Sequence, residues 1–187
     1  MATRRVGNGR ANALKQEIVI RVEERSQAPA VVVYDLLADL RSHLVWAGER
    51  QGKKTRLVSL EAPEGPAGVG TEFRTEGTDP MGRFTDVSVV TEATPPRVFE
   101  FVTEARLQTK RGRGVDWTNV HRYELVPEGG SCRIRSTVRI TRISELPGML
   151  AVFKVPVLSA LALKASEGLA RRGVRNLARM AEQRTGA

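Results

Sequence analysis

Cysteine is nearly missing from this chain. Cys132 is the only one in 187 residues, which rules out an intrachain disulfide and sets the expectation of a reducing, cytoplasmic setting. Histidine is almost as scarce: His43 and His121 are the only two, and with one thiol they form no spaced ligand cluster, so no metal is expected. Aromatic residues make up 5% of the composition, and no run interleaves them with basic residues as single-strand nucleic-acid binders do. No DNA partner is expected. Long apolar runs are missing too. The stretch 146–165 is broken by Pro147, Lys154, Pro156 and Lys164, a poor bilayer span, and 1–17 has basic residues without the apolar core of a signal peptide. Nucleophile elbows, phosphate-cradling glycine loops and dinucleotide fingerprints are absent, and no cofactor is expected.

Positive charge is abundant. Thirty Lys and Arg face 21 Asp and Glu, a formal net charge of +9. The basic residues gather in Arg4, Arg5 and Arg10, in Lys53, Lys54 and Arg56, in Lys110, Arg111 and Arg113, and near the C-terminal end. One reading is a solvated, arginine-rich surface. The other is attraction to RNA, a ribosome or an anionic membrane, for which Arg171, Arg175 and Arg179 at i, i+4 spacing would form a stripe.

The length fits one domain able to bury a core. Residues 1–16 show no periodicity and read as a flexible basic tail, leaving 17–185 as the domain. From Glu17 to Glu24, Ile18, Ile20 and Val22 alternate with Val19, Arg21 and Glu23, the period of a half-buried strand. Ser26 is a plausible cap for a helix that tolerates Pro29 in its first turn, and a second short helix is expected over Leu40–Trp46. Strands follow over 54–61, 71–76 (Phe73 inward), 83–94, 97–107, 115–126 and 132–141, separated by turn residues. On the fourth of these Phe99, Phe101 and Thr103 share a face opposite Glu100 and Glu104. On the fifth, Trp117, Asn119, His121 and Tyr123 oppose Thr118, Arg122 and Glu124. On the sixth, Ile134, Ser136 and Val138 oppose Arg133, Arg135 and Arg139. The last long stretch, Pro156 to about Gln183, has the 3.6-residue period of an amphipathic helix, with Leu158, Leu161, Ala165, Leu169 and Leu177 as its apolar stripe. The expected architecture is α+β: a curved antiparallel sheet of six or seven strands whose dry face is closed by one long C-terminal helix.

Several stretches resemble the START/polyketide-cyclase/birch-pollen-allergen superfamily (SRPBCC), in particular its bacterial polyketide cyclase/dehydrase-type members. These are IVIRVEERSQAPAVVVYDLLADLRSHLVW, GVGTEFR, TEATPPRVFEF, HRYELVPEGGSCRIRSTVRI and PVLSALALKASEGLARRGVRNLARMAE. The resemblance implies the helix-grip fold and a cavity between sheet and long helix. It does not choose a function, because such members include lipid and steroid carriers, cyclases and hormone receptors.

The residues themselves also suggest a cavity. Gly168 and Gly173 lie inside the final helix, where each costs roughly 1 kcal/mol relative to Ala, and with Ala165 they leave either close packing or room beneath it. Thr103, Asn119, His121 and Ser136 fall on otherwise apolar faces, and buried polar groups need partners. The candidate ligand-binding residues are therefore Trp46, Phe73, Phe99, Phe101 and Thr103, then Trp117, Asn119, Tyr123 and Ser136, and on the helix Leu161, Ala165, Gly168 and Leu169. His43 sits near the presumed mouth. The first functional expectation is binding of a hydrophobic or aromatic small molecule by a monomer or homodimer. The second is a cyclase/dehydratase-type enzyme with His121 as acid/base and Asn119, Tyr123 or Arg122 orienting the substrate.

Overall fold

The computed structural model describes residues 13–49, 56–144 and 156–186. Strand β1, Ala13–Ser26, starts earlier than its alternation announces and buries Ile20 and Val22. Most of the expected tail, 1–12, lies outside the described residues. Helix α1, Ala30–Ala38, sinks Val33, Leu36 and Leu37 completely. Pro29, not Ser26, occupies its capping position. The strand runs on through Ser26, whose hydroxyl accepts the Ala28 N–H at 3.2 Å and donates to the Ala178 carbonyl at 3.4 Å. In place of one short helix, a 3-10 turn, Leu40–Ser42, passes into a π-helical turn, Leu44–Glu49.

Six strands follow: β2 (Arg56–Glu61), β3 (Glu72–Thr78), β4 (Gly82–Thr94), β5 (Val98–Thr109), β6 (Gly114–Glu128) and β7 (Ser131–Ile143). They end at helix α2, Pro156–Thr185. All pairings are antiparallel, in the order β1-β7-β6-β5-β4-β3-β2. Local chemistry fixes the hairpins. Gly129, at φ +70°, turns β6 into β7. At Gly82 an added Cβ would lie 2.0 Å from the Gln108 carbonyl oxygen, so only glycine fits where β4 meets β5.

The pleat separates two faces. The outer face is charged. Arg122 reaches Glu92, Glu100 and Glu124, and Arg133 reaches Glu23 and Glu128. The inner face is covered by α2. Near the C-terminal half of α2 the interior is solid: Phe99, Leu36, Leu37, Ile134 and Leu177 are all but inaccessible, each contributing roughly 1.5–3 kcal/mol by leaving water. This half is also tied down. Arg175 pairs with Glu24 at 3.1 Å, the Asn176 side-chain amide donates to the Trp46 carbonyl at 3.2 Å, and Glu182 accepts the Gln27 N–H at 2.9 Å. The opposite side of α2 carries Arg171, Arg175 and Arg179, all exposed. Of the expected apolar stripe, Leu177 is fully buried and Leu169 is 37% exposed. The side chains of Leu158, Leu161 and Ala165 lie outside those described. Among the described residues no helix is long and apolar enough to cross a membrane.

Candidate functional site

Beyond the solid half, sheet and helix diverge around a pocket of about 380 Å³, within the roughly 300–1,000 Å³ of small-molecule sites. Its floor is set by strand register. Ser88 on β4 stands opposite Thr103 on β5, which stands opposite Asn119 on β6, giving a polar row across three strands. Ser88 and Thr103 hydroxyls bond each other at 2.8 Å, while Asn119 Oδ1 is buried without a partner. One step along each strand pair lies a ring row: Phe101 opposite His121, and Phe99 opposite Tyr123. His121 stacks on Phe101, centroids 4.8 Å apart and planes 13° from parallel.

The π-helical turn closes one wall. Trp46 donates its indole N–H to Ser42 Oγ at 3.2 Å and meets Tyr123 edge-on. His43 is buried against Trp46 (centroids 4.7 Å), Phe73 and Phe101. Its Nε2 lies 2.9 Å from the Leu37 carbonyl, which only accepts, so this nitrogen carries the proton. The roof is α2, through Ser166, Leu169, Ala170, Gly173 and Val174.

Buried titratable groups take their neutral forms more readily here. Burial pushes His43 down to about 4, against the opposing effects of its Leu37 hydrogen bond and of Asp39. His121 falls to about 4 through burial first and repulsion from His43 second. Both rings are therefore neutral at pH 7. Burial raises the Tyr123 phenol to about 12, partly offset by its bond with Ser136, and raises the Asp86 carboxyl to about 6, partly offset by Thr75. An imidazole of such low proton affinity is a poor general base, and the imidazolium that would serve as general acid is scarce at neutral pH.

Most of the residues singled out in the sequence meet at this pocket: Trp46, Phe73, Phe101, Thr103 and Trp117, together with Asn119, His121, Tyr123, Ser136 and Leu169. Two do not. Phe99 is fully buried and packs edge-on to Tyr34, at 6.1 Å, beneath α1; it shares the inward face but stands over the solid core. Gly168 is exposed, with nothing within 4 Å of an added Cβ, because the inward side of α2 passes through Leu169, Ala170 and Gly173. For Leu161 and Ala165 the described residues give the helix but not the side chains. Arg122, expected as an orienting group, is on the outer face in its carboxylate cluster. Arg122→Ala should therefore lower stability by roughly 1 kcal/mol in denaturant melts, by leaving Glu92 and Glu100 without their counter-ion and with only the Thr94 and Thr91 hydroxyls as donors, and leave binding in the pocket unchanged.

Asp86, Ser88, Thr75 and Phe84 also line the pocket and were not read from sequence. Thr75 is on β3; β4 alternates Phe84, Asp86, Ser88, Val90 against Thr85, Val87, Val89, Thr91, and the second set, with Val87 and Val89 exposed, looks at least as apolar. The discriminating signal is pairing. Gly82 opposite Thr109 and Ser88 opposite Thr103 lock the phase.

Sheet, grip and pocket together define a helix-grip fold. No family model matches the chain, and no curated protein matches it in sequence. Solved structures do match. A protein from Rhizobium leguminosarum superposes with a TM-score of 0.63 at 12% identity, over 90% of this chain and 96% of its own. A conserved protein from Geobacillus kaustophilus gives 0.63 at 12% identity over 89% and 96%. A major latex-like protein from Panax ginseng gives 0.56 at 9% identity over 88% and 97%. At such identities the likeness speaks for the fold.

Proposed function

We propose that the chain binds an apolar, ring-bearing small molecule between sheet and α2, without catalysing its conversion. The observation that carries this reading is the pocket itself: ring faces from Trp46, Phe73, Phe101 and Trp117 around a few convergent polar groups, one of them an unpartnered amide oxygen. Apolar walls supply affinity and sparse polar groups supply orientation. The superfamily that the sequence resembles, with its carriers, supports the same reading. A hydrolytic or cyclising role would need an acid or base poised near neutrality, and the low proton affinity of His121 argues against it in that part.

The test is titration with 1-aminoanthracene, whose fluorescence rises in an apolar site. Saturable, stoichiometric binding is expected. Gly173→Leu should weaken it, because Gly173 lines the pocket and a leucine there takes up part of the space while favouring the helix by up to about 1 kcal/mol. Unchanged binding by a folded Gly173→Leu variant, or no saturable binding by the natural chain, would remove the reading.

A further inference from the structure

We infer that the pocket selects lipophilic amines, a protonated nitrogen on a ring-bearing ligand being held by the Asp86 carboxylate on β4. The inference rests on the binding reading above and narrows its ligand class.

The charge of the lining is the reverse of the charge of the chain. The sequence has 30 Lys and Arg, yet among the described residues none of them lines the pocket, whose formally ionic side chains are Asp79 and Asp86. The two histidines add no positive charge at pH 7, since burial holds both down to about 4. Asp79 is committed to its turn: Oδ1 accepts the N–H groups of Met81 and Gly82 at 2.7 and 2.8 Å. Asp86 is not. Its Oδ2 accepts the Thr75 hydroxyl at 3.1 Å, and its Oδ1 is buried with no partner. A buried carboxylate oxygen without a donor is costly, and a cation is the partner that best offsets the cost.

The surroundings suit an ammonium group. Phe84 lies two residues along β4 on the same face, and Trp117 stands opposite Ala105, which itself stands opposite Asp86. Such rings attract cations through their negative faces. Asn119 Oδ1, two strands away, adds a second open acceptor. A carboxylate-bearing ligand would meet two like charges and no counter-ion. The net charge of +9 repels cations at long range, so a preference for an amine would run against the global field and be traceable to the local one.

The experiment compares three naphthalene probes by titration calorimetry at pH 7.5: 2-(1-naphthyl)ethylamine, 2-(1-naphthyl)ethanol and 1-naphthylacetate. The amine should bind about tenfold or more tighter than the alcohol, and the acid most weakly, as expected for a desolvated charge pair. Asp86→Asn, which keeps the shape and the Thr75 bond, should remove the amine's advantage over the alcohol. Asp79→Asn, able to hold the same turn, should keep the preference. An amine no tighter than the alcohol, or an advantage that survives Asp86→Asn, overturns the inference. If 1-aminoanthracene saturates the pocket while the amine fails, only the choice of amines falls; if neither binds, the binding reading falls with it.

Discussion

Phe99→Ala is expected to cost about 3–5 kcal/mol, the range for truncating a fully buried phenylalanine, and so to remove a large part of a stability that for most domains totals roughly 5–15 kcal/mol. The site explains why the cost should be high. Phe99 is inaccessible, edge-on to Tyr34 and Phe101, and surrounded by side chains of α1 that cannot close the void without moving the helix. Equilibrium denaturation should show the midpoint falling with an unchanged slope, and the variant, where folded, should bind 1-aminoanthracene as before because Phe99 does not line the pocket. Phe101→Ala makes the contrast. Phe101 touches the rings of Phe73, His43 and His121 but also borders the pocket, so its removal widens an existing space and should shift affinity as well as stability. Equal effects of the two substitutions on binding would contradict this division of the inner face.

Stability should fall as the solution is acidified from about pH 6.5 toward pH 4, with His43 and His121 both contributing. In the unfolded chain His43 titrates near 6.5, whereas in the fold burial holds it near 4. Between those values the unfolded state binds the proton and the folded state does not, so acid favours unfolding. For His43 alone the difference amounts to about 3 kcal/mol at the low end of the window. His121 acts in the same direction. Asp86 acts in the other: its carboxyl is raised from 3.8 to about 6, so the fold takes up that proton first and gains stability as pH drops from about 6 to 4. Denaturant melts at pH 7 and pH 4.5 should show the net loss. Asp86→Asn should steepen it by removing the opposing contribution, and His121→Gln should flatten it. A flat profile in the natural chain would mean that water reaches both imidazoles.

Much of this architecture is written in alternation. Strands β5, β6 and β7 carry most of their charged residues out of phase with the aromatic and aliphatic ones, despite Val102 and Val120 on the charged face, and for Phe101, Thr103, Asn119, His121, Tyr123 and Ser136 that phase also gives their place on the inner face. The long helix is equally plain from its 3.6-residue period. What fails to show is of two kinds. Where the inner face is itself polar, as at Asp86 and Ser88, patterning inverts, and valines that face solvent look like core. Where two inward residues share a face, periodicity cannot tell the packed end from the hollow end, so Phe99 and Phe101 read alike although α1 covers one and not the other. Gly168 illustrates the helical version: a small residue signals space, but only angular position decides on which side the space lies. The Ser26 hydroxyl reads as a helix cap because a tie to Ala178, 152 residues away in sequence, leaves no local trace.

The fastenings of α2 to Glu24, Ser26, Gln27 and Trp46 all fall within its segment from Arg175 to Glu182. Mechanically these ties set the spacing of helix and sheet at the Val174 end of the pocket. The width allowed to a ligand there should thus be fixed by the solid core beside it, so that compounds too bulky for that end are refused whatever their polarity.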